Sequence, residues 1–274
     1  MARLVRIAPP GTPLHLVVRG NDHQSIFHGD GDRVFFHRCL VEARRRYGLA
    51  VHAYVFMTNH VHLLATPSVA GATSRTLQSV GRRYVAYFNK MYQRTGTLWE
   101  GRFRSSPVAS DHHLLACYRY IEMNPVRARM TAIPEQHIWS SHRCNLGLAA
   151  DDLVEPHSLF LGISTSDAKR VARYRSLCAE ALDPALIERM RDCLNHGWAF
   201  GDDAWCEQIG ALTGRRARRV GPSRAPVVEP RGLSNGEHSD PSGDPVGQPS
   251  REVLRRPDRG PRATGTPRSP AAGG

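Results

Sequence analysis

The chain has 274 residues and a formal net charge of +12 at neutral pH, and only Lys90 and Lys169 of its 37 basic residues are lysines. That length allows one or two domains with a sizeable core, and the basic balance favours a polyanionic partner such as nucleic acid. Six scattered cysteines without a C-x-x-C pair exclude a disulfide frame or zinc ribbon; no stretch approaches 18 apolar residues, so the expectation is a cytoplasmic, nucleoid-associated protein without membrane contact.

In chain order, "LHLVVRG" (14–20) reads as a strand, and a polar loop leads to a helix through "RVFFHRCLVEARRRYG" that Gly48 stops. "AVHAYVFM" and "HVHLLAT" read as two strands joined by a tight turn at Thr58 and Asn59. A long helix, "TSRTLQSVGRRYVAYFNKMYQ", interleaves arginines with aromatics; Val80, Tyr84, Tyr87, Phe88 and Met91 fall at core spacing, so the arginines are expected outward. "GTLWEGRFRSSPV" leads into an extended segment, and a further helix, capped by Ser110 or Asp111, runs to Asn124, where Pro125 disfavours continuation. The order β-α-β-β-α-β plus a late helix is the split β-α-β plan of α+β ferredoxin-like domains, an antiparallel sheet with helices on one face. We expect this domain over residues 1–130, a helical C-terminal extension over 131–214, and a disordered basic Pro/Gly/Ser-rich tail over 215–274.

On a strand His60 and His62 point the same way, while Val61 points into the opposite layer. Two such imidazoles can chelate one ion between them; they can equally be half-buried residues bonded to neighbours. In "SDHHLLACYRYIEMNPVRA", Leu114, Cys117, Tyr118 and Ile121 form a core-facing stripe, which makes Tyr118 a packing residue. His113, Tyr120 and Asn124 form a neighbouring stripe, facing either a site or solvent. In the first case Asn124 can offer its side-chain oxygen to an ion that Tyr120 also approaches.

"VHAYVFMTNHVHLL", "YFNKMYQRTGTLWEGRFRSSPV" and "YRYIEMNPVRARM" together resemble the HUH single-tyrosine transposases, specifically the REP-associated tyrosine transposases of bacteria. The resemblance spans roughly residues 12–145, with "IWSS" as a weaker trailing match. It implies a ferredoxin-like (RRM-like) fold, His60, His62 and Asn124 as ligands of Mg²⁺ or Mn²⁺, and Tyr120 as nucleophile. Its substrate is then hairpin-bearing single-stranded DNA, cleaved and rejoined through a 5′-phosphotyrosine; a protein of this kind is a monomer or homodimer. A domesticated protein that binds repeat hairpins without cleaving them is the alternative. Arg82, Arg83, Arg102 and Arg104 are the candidate DNA contacts, because cations interleaved with aromatics suit a single strand. His113 has no role in the resemblance and is expected at the surface.

Overall fold

The computed structural model describes residues 6–219, which form one compact unit. Four strands, β1 (Leu14–Arg19), β2 (Leu49–Phe56), β3 (His60–Pro67) and β4 (Arg104–Pro107), form an antiparallel sheet in the order β2-β3-β1-β4. The expected tail lies outside the described residues from position 220 onward.

Helices α1 (Asp30–Tyr47) and α2 (Ala72–Met91) cover one face of the sheet, as the split β-α-β plan requires. Leu14 and Leu16 of β1 and Val61, Leu63 and Ala65 of β3 meet Phe36, Leu40, Val80, Tyr84 and Phe88 there. The α1 chain turns off at Gly48, whose φ of 73° is the left-handed value that glycine adopts without a Cβ clash. The expected core stripe of α2 is buried at Val80, Tyr84 and Phe88, while Tyr87 lies half-buried on Phe35. Met91 departs from it: at the last residue of the helix it is 57% exposed.

The opposite face carries α3 (His112–Glu122), which Asp111 caps by accepting a hydrogen bond from the His113 backbone at 2.7 Å. Leu114, Cys117, Tyr118 and Ile121 are all buried against Ala53, Val55 and Leu64, the stripe read from the sequence. At ~1.5–3 kcal/mol for each large side chain, this burial fixes the roll of α3 and so the direction of every other residue on it. A β-bulge between Val51 and Ala53 lets these same-parity residues serve opposite cores.

The helix ends two residues before Asn124, which opens the short α4 (Asn124–Arg127). Beyond it, Ser140 bridges to Val55 and the Ser141 amide donates to the Tyr54 carbonyl, so the "IWSS" segment runs along the free edge of β2. Helices α5 (His142–Asn145), α6 (Ser158–Leu161), α7 (Asp167–Ala179), α8 (Pro184–His196) and α9 (Asp203–Thr213) follow. Phe160, Tyr174, Met190 and Cys193 complete the core over α3.

Candidate active site

Antiparallel pairing sets Val17 opposite His62 and Arg19 opposite His60, so the two histidines share a sheet face with His15, Val17 and Arg19. The His60 and His62 rings lie 4.9 Å apart, centroid to centroid. Tyr120 of α3 points at them: its ring centroid is 5.8 Å from His62 and 5.6 Å from His15. The alternative of a solvent-facing stripe is therefore excluded for Tyr120, which is 6% exposed.

Each imidazole makes its hydrogen bond through Nδ1, His60 with Asn59 Oδ1 at 2.7 Å and His62 with His15 Nε2 at 2.8 Å. Burial holds His60 down to about 4, with Arg19 and His23 adding repulsion. It also lowers His62 well below the ordinary histidine value, with His15, His60, Arg127 and Arg19 reinforcing it. Both rings are thus neutral at physiological pH, and with Nδ1 engaged they present Nε2 as the ligand atom. The Asn124 side-chain nitrogen is buried without a hydrogen-bond partner; as an N–H donor it cannot bind a cation itself, which only the amide oxygen could do. Two neutral imidazoles suit a divalent cation.

Positive charge surrounds the tyrosine. The Arg127 guanidinium lies 4.4 Å from the centre of its ring and donates to its backbone carbonyl. Arg191 of α8 faces its side chain, whose oxygen raises the guanidinium above the ordinary arginine value. Burial takes Arg127 down to about 10, so it still carries its charge at neutral pH.

The expected DNA contacts separate. Arg102 and Arg104 line a cavity of about 330 Å³ together with Arg6, Arg19 and Arg215, against a single acid, Glu100. Within it Arg104 is bonded to Asn195 at 2.6 Å and Glu100 at 3.4 Å. Arg82 sits instead at the rim of an apolar cavity, and Arg83 forms an ion pair with Glu42 at 2.7 Å.

His113 is a correction: it is 3% exposed rather than superficial, because the Asp111 cap holds its Nδ1 at 2.8 Å and Phe200 packs on its ring. Asp111, His112 and His113 lie close enough to hold an ion, but the first and last of them are already bonded as a helix cap.

Sequence reading missed three residues. His15 had a signal, a histidine at an alternating position of an apolar strand; Arg127 lay within the quoted "NPVRARM" block without a role; Arg191, 71 residues from Tyr120 along the chain, had none.

The split β-α-β sheet thus carries an imidazole pair on one face, with a tyrosine-bearing helix packed over it. Residues 11–124 match the model of the IS200-like transposase family. No functionally curated protein matches the chain. Among solved structures, the REP-associated tyrosine transposase bound to a REP hairpin aligns at 16% identity and a TM-score of 0.46, covering 58% of this chain and 96% of its own. A candidate transposase from Deinococcus radiodurans R1 aligns at 16% identity and a TM-score of 0.31, covering 50% and 95%. Among the described residues, no helix is long and apolar enough to cross a membrane.

Proposed function

We propose that this protein is a metal-dependent endonuclease and strand transferase that cleaves and rejoins hairpin-bearing single-stranded DNA through a 5′-phosphotyrosine on Tyr120. The observation that carries this reading is the Tyr120 ring standing 5.8 Å from His62 on a helix whose roll is fixed by its buried stripe. His60, His62 and Asn124 would hold Mg²⁺ or Mn²⁺, which when bound polarises the scissile phosphate and neutralises its charge.

The protein's own residues do the rest. The Tyr120 oxygen attacks phosphorus, the P–O bond to the 3′-oxygen breaks, and the proton lost by the phenol is matched by the one that the 3′-hydroxyl takes up. Arg191 and Arg127 place positive charge beside an oxygen that must become anionic to attack. The bond energy is kept in the phosphotyrosine, so rejoining by a 3′-hydroxyl needs no nucleotide cofactor. Arg102 and Arg104, in a cavity that Arg19 connects to the His60 side of the sheet, hold flanking phosphates. Such a protein acts in the cytoplasm, at the nucleoid.

The test is a denaturing gel of purified protein incubated with labelled hairpin oligonucleotides from its genomic flanks, with Mg²⁺, with Mn²⁺ or with EDTA. A protease-sensitive, metal-dependent adduct lost in Tyr120→Phe is expected. Binding without any adduct, across several hairpins and both metals, would establish the non-cleaving binding protein instead.

A further inference from the structure

A second cavity, of about 570 Å³, opens beside the arginine-lined one and differs from it in character. Its walls are Val18, Leu77, Val85 and Ala86 with the rings of Trp99 and Phe103, and its charged lining residues are Arg6, Arg82 and Arg102, with no acid among them. Its volume falls within the ~300–1,000 Å³ of small-ligand sites. Strand alternation explains the pairing of the two cavities. Val18 points to the α1–α2 side of the sheet, and its neighbours Val17 and Arg19 point to the His60 side, so the cavities lie on opposite sides of one sheet margin.

Residues 101–103 and Arg6 line both cavities and form the partition between them. The partition concentrates cations on an aromatic: the Arg6 guanidinium covers the Phe103 ring at 3.7 Å and its Nε donates to the Phe103 carbonyl at 3.1 Å. Burial and the nearby Arg102 charge bring Arg6 down to about 10, so these cations repel each other while the partition stands alone. Across the cavity Trp99 packs against Gly81, where a Cβ would stand 3.3 Å from the indole nitrogen, so the glycine admits the ring. A purely apolar ligand has no use for three guanidinium groups, and a free phosphate has none for the rings. An aromatic heterocycle joined to phosphates uses both.

We propose that this cavity takes one unpaired nucleobase of the DNA strand, with Trp99 and Phe103 as its aromatic walls. Arg102 and Arg6 hold the adjoining phosphates as the strand crosses residues 101–103 into the arginine-lined cavity beside His60. The inference rests on the single-stranded DNA reading above and adds to it a site that reads or anchors one base, independent of the cleavage chemistry.

The test is fluorescence anisotropy of labelled hairpin DNA with single-stranded flanks, using Tyr120→Phe protein so that the strand stays intact. Each unpaired position is replaced in turn by an abasic sugar. One position is expected to lose about tenfold in affinity, within the range for base–aromatic stacking. Ala86→Phe, which fills the cavity from an exposed helix position, should weaken intact DNA similarly and abolish the sensitivity to that abasic site. Equal affinity at every abasic position overturns the pocket, whether or not the filled variant folds. So does intact DNA bound undiminished by folded Ala86→Phe. Binding without cleavage by the parent protein removes only the chemistry, whereas no DNA binding at all overturns both readings.

Discussion

Replacing Glu122 by alanine should destabilise the protein more than any other single change on α3. Its carboxylate is fully buried two residues beyond Tyr120 and accepts from Ser141 Oγ at 2.5 Å, Asn145 Nδ2 at 2.6 Å, the Tyr174 hydroxyl at 2.7 Å and His142 Nδ1 at 2.9 Å. These partners come from the "IWSS" segment, from α5 and from α7, so one side chain ties the tyrosine helix to the extension. Leaving a buried donor unpaired costs ~1–3 kcal/mol, and breaking a buried pair by removing one member costs ~3–5 kcal/mol. The four donors share one network and do not add independently, so Glu122→Ala should lose at least about 4 kcal/mol of a typical ~5–15 kcal/mol. Tyr174→Phe removes one donor and leaves the carboxylate three, so ~1–2 kcal/mol is expected. Urea unfolding of the two variants measures both. A loss below ~1.5 kcal/mol for Glu122→Ala, or equal losses for the two, would refute the view that this carboxylate holds the extension onto α3.

Three further outcomes are expected. His15→Leu should lower Mn²⁺ affinity ~10–100-fold by calorimetry, because His15 is the hydrogen-bond partner that orients His62, whereas His15→Gln, which keeps an acceptor, should recover much of it; equal losses would remove His15 from that role. Arg102→Ala should reduce the slope of log affinity for single-stranded DNA against log salt by about 0.7, and Arg83→Ala, whose guanidinium is paired with Glu42, should change it less. Burial holds His52 down to about 4, with its nitrogens facing the Glu155 carbonyl and Thr66 Oγ1. The unfolded chain therefore takes up this proton first, and stability should fall by up to about 3 kcal/mol as pH drops from about 6.5 to about 4. His52→Gln should flatten that dependence in urea titrations at stepped pH, and an unchanged slope would contradict it.

The fold was legible where periodicity had a single meaning. Alternation in "HVHLLAT" put His60 and His62 on one face, and the 3.6-residue stripe of α3 separated packing Tyr118 from site-facing Tyr120, because burial of that stripe leaves the helix one orientation. Periodicity says nothing of which distant segment closes over a face. Arg191 reaches Tyr120 only because α8 packs on the α3 core, and Glu122 meets Tyr174 across 52 residues. His113 was misplaced for the same reason: its helix position looks free until Phe200 covers it. Arg82 and Arg83 are adjacent and chemically identical in the sequence, yet one rims a cavity and the other meets Glu42.

The most direct measurement of the central claim is the identity of the amino acid joined to DNA. After reaction with a hairpin substrate and Mn²⁺, trypsin and nuclease digestion should leave a nucleotide on the peptide 120–127, bounded by Arg119 and Arg127, with mass spectrometry placing the phosphate on Tyr120. A nucleotide on any other residue, or cleaved strands bearing only free 5′-phosphate ends, would contradict Tyr120 as the nucleophile.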